Sequence, residues 1–381
     1  MRNMIQHLLL LPLVLLMACD LEPRIPDNEE EQQNQGQSGE FIRGADLSYV
    51  NEMVDCGATY QDQGNENKNP YDIFSESGAD MVRVRLWHDA EWTTYSDYED
   101  IRKTIKAAHD RGMRVLLDFH YSDDWADPGR QHVPKAWLGV VDNTSALGDS
   151  VYQYTYRILN NLHQEGLLPE LVQVGNEINI EILQDPAQSY DQINWTRNAA
   201  LLNRGLQAVR QISTDLGTDI EVMLHVAQPE NAIWWFEEAT QNGLTDYDWI
   251  GLSYYPNWST YSLLNLTNAV SSLKSSYQKR IMLVETAYPF TLEDKDGANN
   301  ILGSDALVAG YPATEDGQFR FLKALEEALL KGGAEGLLYW EPAWVSTTCR
   351  TQWEQGSHWD NATLFNHSNQ ATIGMQYFSG E

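Results

Sequence analysis

The chain has 381 residues and carries 25 Lys and Arg against 55 Asp and Glu, a formal net charge of −30. That acidity excludes nucleic acid and anionic lipid as surface partners, because counterion release rewards basic surfaces. With 42% hydrophobic and 21% charged residues, wholesale disorder is excluded too. Three cysteines without a CxxC spacing exclude a disulfide framework and a cysteine-held zinc, whereas 13 Trp and 19 Tyr form an excess that raises the question of a flat-ringed ligand.

In chain order, Arg2 precedes an apolar run from Leu8 to Met17, followed by Ala18 and Cys19. About ten apolar residues are too few to span a bilayer, which takes about 20, but they suit the apolar region of a signal peptide. Leu16-Met17-Ala18-Cys19 resembles a bacterial lipoprotein box, in which the cysteine becomes the lipidated first residue of the mature chain. An ordinary secretory signal cut nearby is the alternative. Residues 20–40 hold seven acids, one arginine and two prolines among many Gln and Asn, the composition of a flexible, self-repelling tether. The expectation is a signal peptide over 1–18, a tether over 19–40 and a folded domain over 41–381. Acidic residues soon after a lipidated cysteine also resemble the surface-export signals of Bacteroidetes lipoproteins. They imply a cell-surface or outer-membrane location anchored through Cys19 in a Gram-negative bacterium, with a periplasmic or secreted protein as the alternative.

From Phe41 onward, short β-rich apolar runs alternate with helical patterns. Strands are expected at Ile42–Leu47, Met81–Trp87, Val115–Tyr121, Leu171–Asn176, Ile220–Val226, Trp249–Tyr255, Ile281–Thr286 and Gly336–Trp340. Most are near-continuous Val, Ile and Leu, as a parallel sheet buried on both faces requires. Ser96 to Glu99 reads as a capping box opening a helix whose apolar face runs through Ile101, Ile105 and Ala108 until Gly112 closes it. Thr155–Leu162, Ala199–Ile212 and Phe319–Leu330 have similar patterns. Eight β/α repeats over this length predict an α/β fold, a single (β/α)8 TIM barrel with enlarged βα loops. The other arrangement, an open doubly wound sheet, lacks a GxGxxG or a P-loop to support its nucleotide-binding versions.

In such a barrel chemistry sits at the C-terminal strand ends. There the sequence places Asp46, Arg83, Arg85, Trp87, Asp118, His120, Asn176, Glu177, His225, Tyr254, Tyr255, Glu285, Trp340 and Glu341. Any one of these could merely meet solvent; the set as a whole points to a site. Glu177 after the fourth strand and Glu285 after the seventh can face one another across the mouth, the arrangement glycoside hydrolysis needs. Arg85 and Tyr254 or Tyr255 are expected to hold the nucleophile ionised. Trp249, inside a strand, reads as core.

Asn176-Glu177 with Glu285 resembles the retaining (β/α)8 glycosidases. The run Asp118-Phe119-His120-Tyr121-Ser122-Asp123-Asp124-Trp125-Ala126-Asp127-Pro128 further resembles glycoside hydrolase family 53, the endo-β-1,4-galactanases. Gly44 to Ser48, Val82 to Trp87, Pro134 to Trp137, Val172 to Glu177, Ser253 to Pro256, Glu285 to Pro289 and Gly356 to Asn361 agree with it. The resemblance implies a retaining endo-β-1,4-galactanase acting on pectin side chains, with residues 41–381 as its catalytic domain. It assigns Glu177 as acid/base, Glu285 as nucleophile and Asn176 as partner of the sugar 2-hydroxyl. Asp118, His120 and Trp87 would line that subsite, His225 would join them, and Trp340 would form a stacking floor. A mannanase- or xylanase-like activity of the same clan, or a non-catalytic polysaccharide-capture lipoprotein, are the other readings. A monomer is expected.

The segment from Asp294 to Asn300 contains D-x-D-G with a later Asn, oxygen ligands of the kind calcium takes. Alone it is equally a solvated acidic loop. The resemblance implies a structural Ca2+ held by Asp294, Asp296, the Ala298 carbonyl, Asn300, Ser357 and Asp360, with Ala298 where the family carries His. Cys56 and Cys349 fall on loops after the first and eighth strands, neighbours in a closed barrel; a disulfide is possible there, and two free thiols are the favoured expectation.

Overall fold

The structure is a computed structural model that describes residues 41–380. The expected signal peptide, tether and Cys19 lie outside the described residues. Eight parallel strands close into a barrel: β1 (Ile42–Asp46), β2 (Met81–Leu86), β3 (Arg114–Phe119), β4 (Leu171–Val174), β5 (Glu221–Ala227), β6 (Trp249–Ser253), β7 (Arg280–Glu285) and β8 (Gly336–Tyr339). Each pairs with the next, and β8 returns to β1 with Gly336 opposite Ile42. Seven of the eight strands stop one or two residues short of the sequence expectation at their C-terminal ends. The residues concerned, such as Trp87, Asn176 and Trp340, have left the ladder to enter loops.

Side chains two apart on a strand share a face, so each strand presents one set inward and the other to the helices. The inward positions nearest the strand starts are apolar: Ile42, Met81, Leu116, Leu171, Met223, Trp249, Met282 and Leu338 form a closed plug, in which Trp249 is core as expected. Two or four residues further on, the same inward face becomes Asp46, Arg83, Asp118, Gln173, His225 and Ser253, all buried. An apolar base under a polar mouth is thus written into the strands themselves. Gly44 stands where a Cβ would come within 2.3 Å of the Met81 carbonyl, so only glycine permits that close approach of β1 to β2.

Outside the strands pack α1 (Val50–Asp55), α2 (Pro70–Glu76), α3 (Tyr98–His109), α4 (Thr144–Gln164), α5 (Trp195–Leu216), α6 (Pro229–Gln241), α7 (Leu263–Tyr277) and α8 (Glu315–Gly332). In α3 the buried stripe Ile101, Thr104, Ile105 and Ala108 follows the helical repeat, with Glu99 and Asp100 in the first turn and Lys106 and His109 in the last, as the helix dipole favours. Its cap is Asp97, not Ser96. The Asp97 carboxylate accepts from the Asp100 amide, and the Asp100 carboxylate reaches back to the Ser96 amide. Asp serves at both ends of this reciprocal cap because its side chain is short enough to turn onto the backbone.

Cys56 and Cys349 are joined in a disulfide, with Cα atoms 5.6 Å apart, which corrects the expectation of free thiols. Closure of β8 onto β1 decides it: the loops that follow these strands become neighbours although 293 residues separate the cysteines.

Candidate active site

Arg83 is the centre of the polar mouth. It is 1% exposed, and its five N–H groups meet five acceptors: Nε to Gln173 Oε1 at 3.2 Å, Nη1 to Asp46 Oδ2 and Glu285 Oε1 at 2.8 Å each, and Nη2 to Asp118 Oδ2 at 2.8 Å and Asn176 Oδ1 at 2.6 Å. The fork of donors suits guanidinium, and lysine could not replace it. Glu285 is pushed up to about 7 by burial, against the Arg83 charge that pulls it down and the Asp46 and Asp118 charges that raise it further. Tyr255 adds a phenolic donor to Glu285 Oε2 at 3.3 Å. Between β6 and β7 the register slips: Leu252 faces Leu283, and Ser253 faces Glu285. The extra residue, Val284, lets both it and Glu285 serve the interior.

Glu177 follows β4 through Gly175 and Asn176 and sits at φ 43°, a left-handed backbone unusual for a residue with a side chain. Such a conformation costs about 1–3 kcal/mol and persists only where surroundings impose it. Here Gln131 Nε2 donates to the Asn176 carbonyl at 2.8 Å, and the Glu177 amide lies 3.3 Å from His225 Nδ1. Ser253 Oγ donates to Glu177 Oε1 at 2.6 Å, and His225 Nε2 lies 2.9 Å from the same hydroxyl. Burial, and the nearby Arg83 and His120, hold His225 well below its ordinary range, so it is neutral. Its Nδ1 faces Asn176 Oδ1 at 2.9 Å as well as the Glu177 amide, and its Nε2 faces the Ser253 hydroxyl, so the ring links Asn176 to Ser253. Burial and the Glu285 charge raise Glu177 well above the ordinary carboxylate range, opposed by the Ser253 hydroxyl and, more weakly, by the Arg83 charge. Oxygens of Glu177 and Glu285 lie within 4.8 Å of each other. Of the two, Glu285 has the guanidinium and Glu177 does not, so the proton they compete for rests on Glu177.

The two carboxyl groups open into a cleft of about 580 Å³. Its walls include six of the 13 tryptophans, Trp125, Trp258, Trp340, Trp344, Trp353 and Trp359. Of the residues expected to bind substrate, Asn176, Arg85, His120, Tyr255 and Trp340 line this cleft. Trp87, Asp118, His225 and Tyr254 do not. Trp87 is buried behind Trp125, ring to ring at 5.4 Å. Asp118 and His225 are fully buried and act through Arg83 and Ser253. Tyr254 turns its hydroxyl outward to the Tyr261 carbonyl at 2.8 Å, because neighbours on a strand point opposite ways. Arg85 does not reach Glu285. It pairs with Glu341 at 2.5 Å between the rings of Tyr49, Trp87 and Trp125, 4.3–5.1 Å from its guanidinium carbon, and so braces the aromatic wall.

The sequence profile of Glycosyl hydrolase family 53 matches residues 42–378, nearly the whole described chain. The chain belongs to that family. It is 53% identical over 344 residues to the arabinogalactan endo-β-1,4-galactanase of Cellvibrio japonicus (strain Ueda107), covering 90% of this chain and 91% of that one. With the endo-β-1,4-galactanase of Bacillus subtilis (strain 168) the identity is 34% over 84% and 74% of the two chains. Among solved structures, the family 53 catalytic domain of Ignisphaera aggregans superposes with a TM-score of 0.81 at 32% identity, covering 89% of this chain and 95% of that one. The chain is therefore a glycoside hydrolase with a (β/α)8 barrel.

Beside the cleft of this family 53 enzyme, carboxylate oxygens of Asp294, Asp296 and Asp360 come within 4.8 Å of one another. Burial and the Asp296 charge raise Asp360. Asn300 donates its amide N–H to Asp360 Oδ1 at 2.9 Å, leaving its own buried Oδ1 without a hydrogen-bond partner. Three converging carboxylates with an orphaned amide oxygen form an oxygen-only set suited to a hard cation. Ala298 reaches the cluster through its amide, donated to Asp296 Oδ1 at 2.9 Å. Ser357 does so through its amide to Asp296 Oδ2 at 2.8 Å, while its hydroxyl turns to the Trp344 carbonyl.

Sequence reasoning placed Arg83 at a strand end, and Gln173 and Ser253 within family-like segments, without giving any of the three a role. Strand alternation could have found all three. Counting in twos from Met81, Leu171 and Trp249 reaches Arg83, Gln173 and Ser253, polar residues on faces otherwise apolar.

Proposed function

We propose that the enzyme is an endo-β-1,4-galactanase that cuts β-1,4-galactan with retention at the anomeric carbon. The observation that carries retention is the closeness of Glu177 and Glu285 with their opposed surroundings. Retaining pairs stand about 5–5.5 Å apart, and inverting pairs about 6.5–9.5 Å. In the first step Glu285, held ionised by Arg83, attacks the anomeric carbon. The bond to the glycosidic oxygen breaks as Glu177 gives that oxygen its proton, leaving a galactosyl ester on Glu285 and an ionised Glu177. In the second, Glu177 takes a proton from water, whose oxygen attacks the same carbon and releases Glu285. Asn176 Oδ1 is committed to Arg83, and its Nδ2 donates to the Ala126 carbonyl, so it faces the sugar as a rigid group. The tryptophan walls suit the apolar faces of a pyranose chain. Relatives named for this activity at 53% and 34% identity support galactan as the polymer.

Incubation with galactan, mannan and xylan tests the reading. Reducing ends should appear from galactan, and Glu177→Gln and Glu285→Gln should each lower the rate by several orders of magnitude. Undiminished release by either variant would sink the mechanism. The same reading assigns Ca2+ a structural part, held by Asp294, Asp296, Asn300 and Asp360, with Ala298 and Ser357 contributing backbone. It would tie the loop after β7 to the loop after β8. It also assigns the enzyme, as a monomer, to the outer membrane through a lipid on Cys19. Loss of membrane association in Cys19→Ser is the expected result, and unchanged association would reject the anchor.

A further inference from the structure

A second groove of about 510 Å³ lies on the flank of the barrel, outside the cleft, between the loop that follows Glu177 and the helices α5 and α6. Its floor is fixed by charge-assisted and backbone bonds. Arg197 Nη1 pairs with buried Glu181 at 2.8 Å and donates to the Ile182 carbonyl at 2.9 Å, while Nη2 donates to the Leu183 carbonyl at 2.7 Å. The Asn179 side chain exchanges two hydrogen bonds with Ala227 at 2.8 and 2.9 Å. Trp195 stands on the fully buried Trp235, ring centroids 5.4 Å apart. On this rigid base Trp234 projects 42% exposed, a large apolar ring that contributes little to the core.

The groove continues a face the cleft already uses. On α6, Asn231 lines the cleft, and Trp234 and Glu238 line the groove. Spacings of three and four residues place these side chains in one stripe along the helix. Around Trp234 stand Gln184, Asp191, Gln192 and Glu238, whose side chains have no hydrogen-bond partner among the described residues. Among the described residues no Lys or Arg lines the groove, and Arg197 beneath it is spent on Glu181 and two carbonyls. An exposed indole ringed by amides and carboxylates, without a free positive charge, fits a neutral, hydroxyl-rich ring and repels an anion.

We propose that this groove is a secondary carbohydrate-binding site, in which Trp234 stacks on a sugar of the same neutral polymer whose chain occupies the cleft. It rests on the galactan reading only for the choice of polymer. Its effect is to hold a long chain at the enzyme while the cleft turns over, so it matters for polymer and not for short oligosaccharides.

The full chain with Trp234→Ala and Trp234→Phe tests this. Retardation in native gels containing β-1,4-galactan is measured in a Glu285→Gln background, and hydrolysis of short β-1,4-galacto-oligosaccharides is measured with Glu285 intact. Trp234→Ala should weaken polymer binding about tenfold, with oligosaccharide kcat/KM within about twofold of the parent, and Trp234→Phe should recover most of the loss. Polygalacturonate should cause no retardation that depends on Trp234. Equal retardation of the parent and Trp234→Ala would overturn the site, as would a parallel loss on polymer and oligosaccharide that phenylalanine does not rescue. Failure of the galactan reading looks different: the parent would leave the oligosaccharides uncut.

Discussion

Replacing Ser253 by alanine removes the hydroxyl that donates to Glu177 Oε1 at 2.6 Å. This hydrogen bond favours the ionised acid and is the main local influence that lowers Glu177 against burial and the Glu285 charge. A hydrogen bond to a buried charged group contributes about 1.5–3 kcal/mol, and one to the neutral acid about 0.5–1.5 kcal/mol. The difference, about 1–1.5 kcal/mol, corresponds to about one pH unit. Because Glu177 must carry its proton to start the reaction, the alkaline limb of the kcat/KM profile reports its ionisation in the free enzyme. Taking away a group that lowers it must raise it, so the alkaline limb in Ser253→Ala should move up by about one unit. The acid limb, set by Glu285 and Arg83, should move far less, although both limbs belong to a coupled pair. Initial rates of reducing-end release from galactan over a pH series measure both limbs, and Ser253→Thr, which keeps a hydroxyl, should return toward the parent. An alkaline limb that stays in place or moves down in folded Ser253→Ala would refute the assignment of Glu177 as the acid and of Ser253 as its positioning residue.

Other substitutions test the remaining parts of the site. Arg83→Met leaves Asp46, Asp118 and Glu285 as buried acids without their shared cation, which should cost about 3–5 kcal/mol of stability in urea unfolding and shift the acid limb upward. Retention of parental stability would show that the network is not held by charge. Chelation should lower Tm, and addition of Ca2+ at about 100 times its Kd should restore about 2.7 kcal/mol; Asp296→Asn should abolish the response. A Tm indifferent to chelator in demonstrably metal-free protein would reject a stabilising ion. Cys56→Ala with Cys349→Ala releases the antiparallel pair at Arg350–Thr351 and Glu354–Gln355, whose turn carries Trp353 over the cleft. KM for galactan should rise at little cost in kcat, and an unchanged KM would show that the hairpin is positioned without the bond.

Much of the barrel was legible because parallel strands buried on both faces must be nearly continuous Val, Ile and Leu, and such runs are hard to misread. Glu177 and Glu285 were legible for the opposite reason, as acids where those runs stop. Partners were harder. Arg85 and Tyr254 sit two and one residues from Arg83 and Tyr255, and sequence alone does not say which face of a strand end looks into the cleft. The bulge at Ser253 changes that phase just where it matters. Ser96 and Asp97 were confused in the same way, since both residue types cap helices and only backbone geometry distinguishes them.

The sequence by itself determined an acidic chain, eight β/α units and two carboxylates at the ends of strands four and seven, because periodicity and composition are local properties. Tertiary structure decided everything that depends on which distant segments meet. Closing β8 onto β1 made one disulfide from two cysteines at opposite ends of the domain. The convergence of β1, β2, β3, β4 and β7 gave one buried arginine five acceptors and set its guanidinium against Glu285 and not against Glu177. The tryptophan excess divided the same way: its size is a matter of composition, whereas only the folded barrel decides that Trp344 and Trp359 line the cleft from within the core while Trp258, Trp353 and Trp234 stand open to solvent.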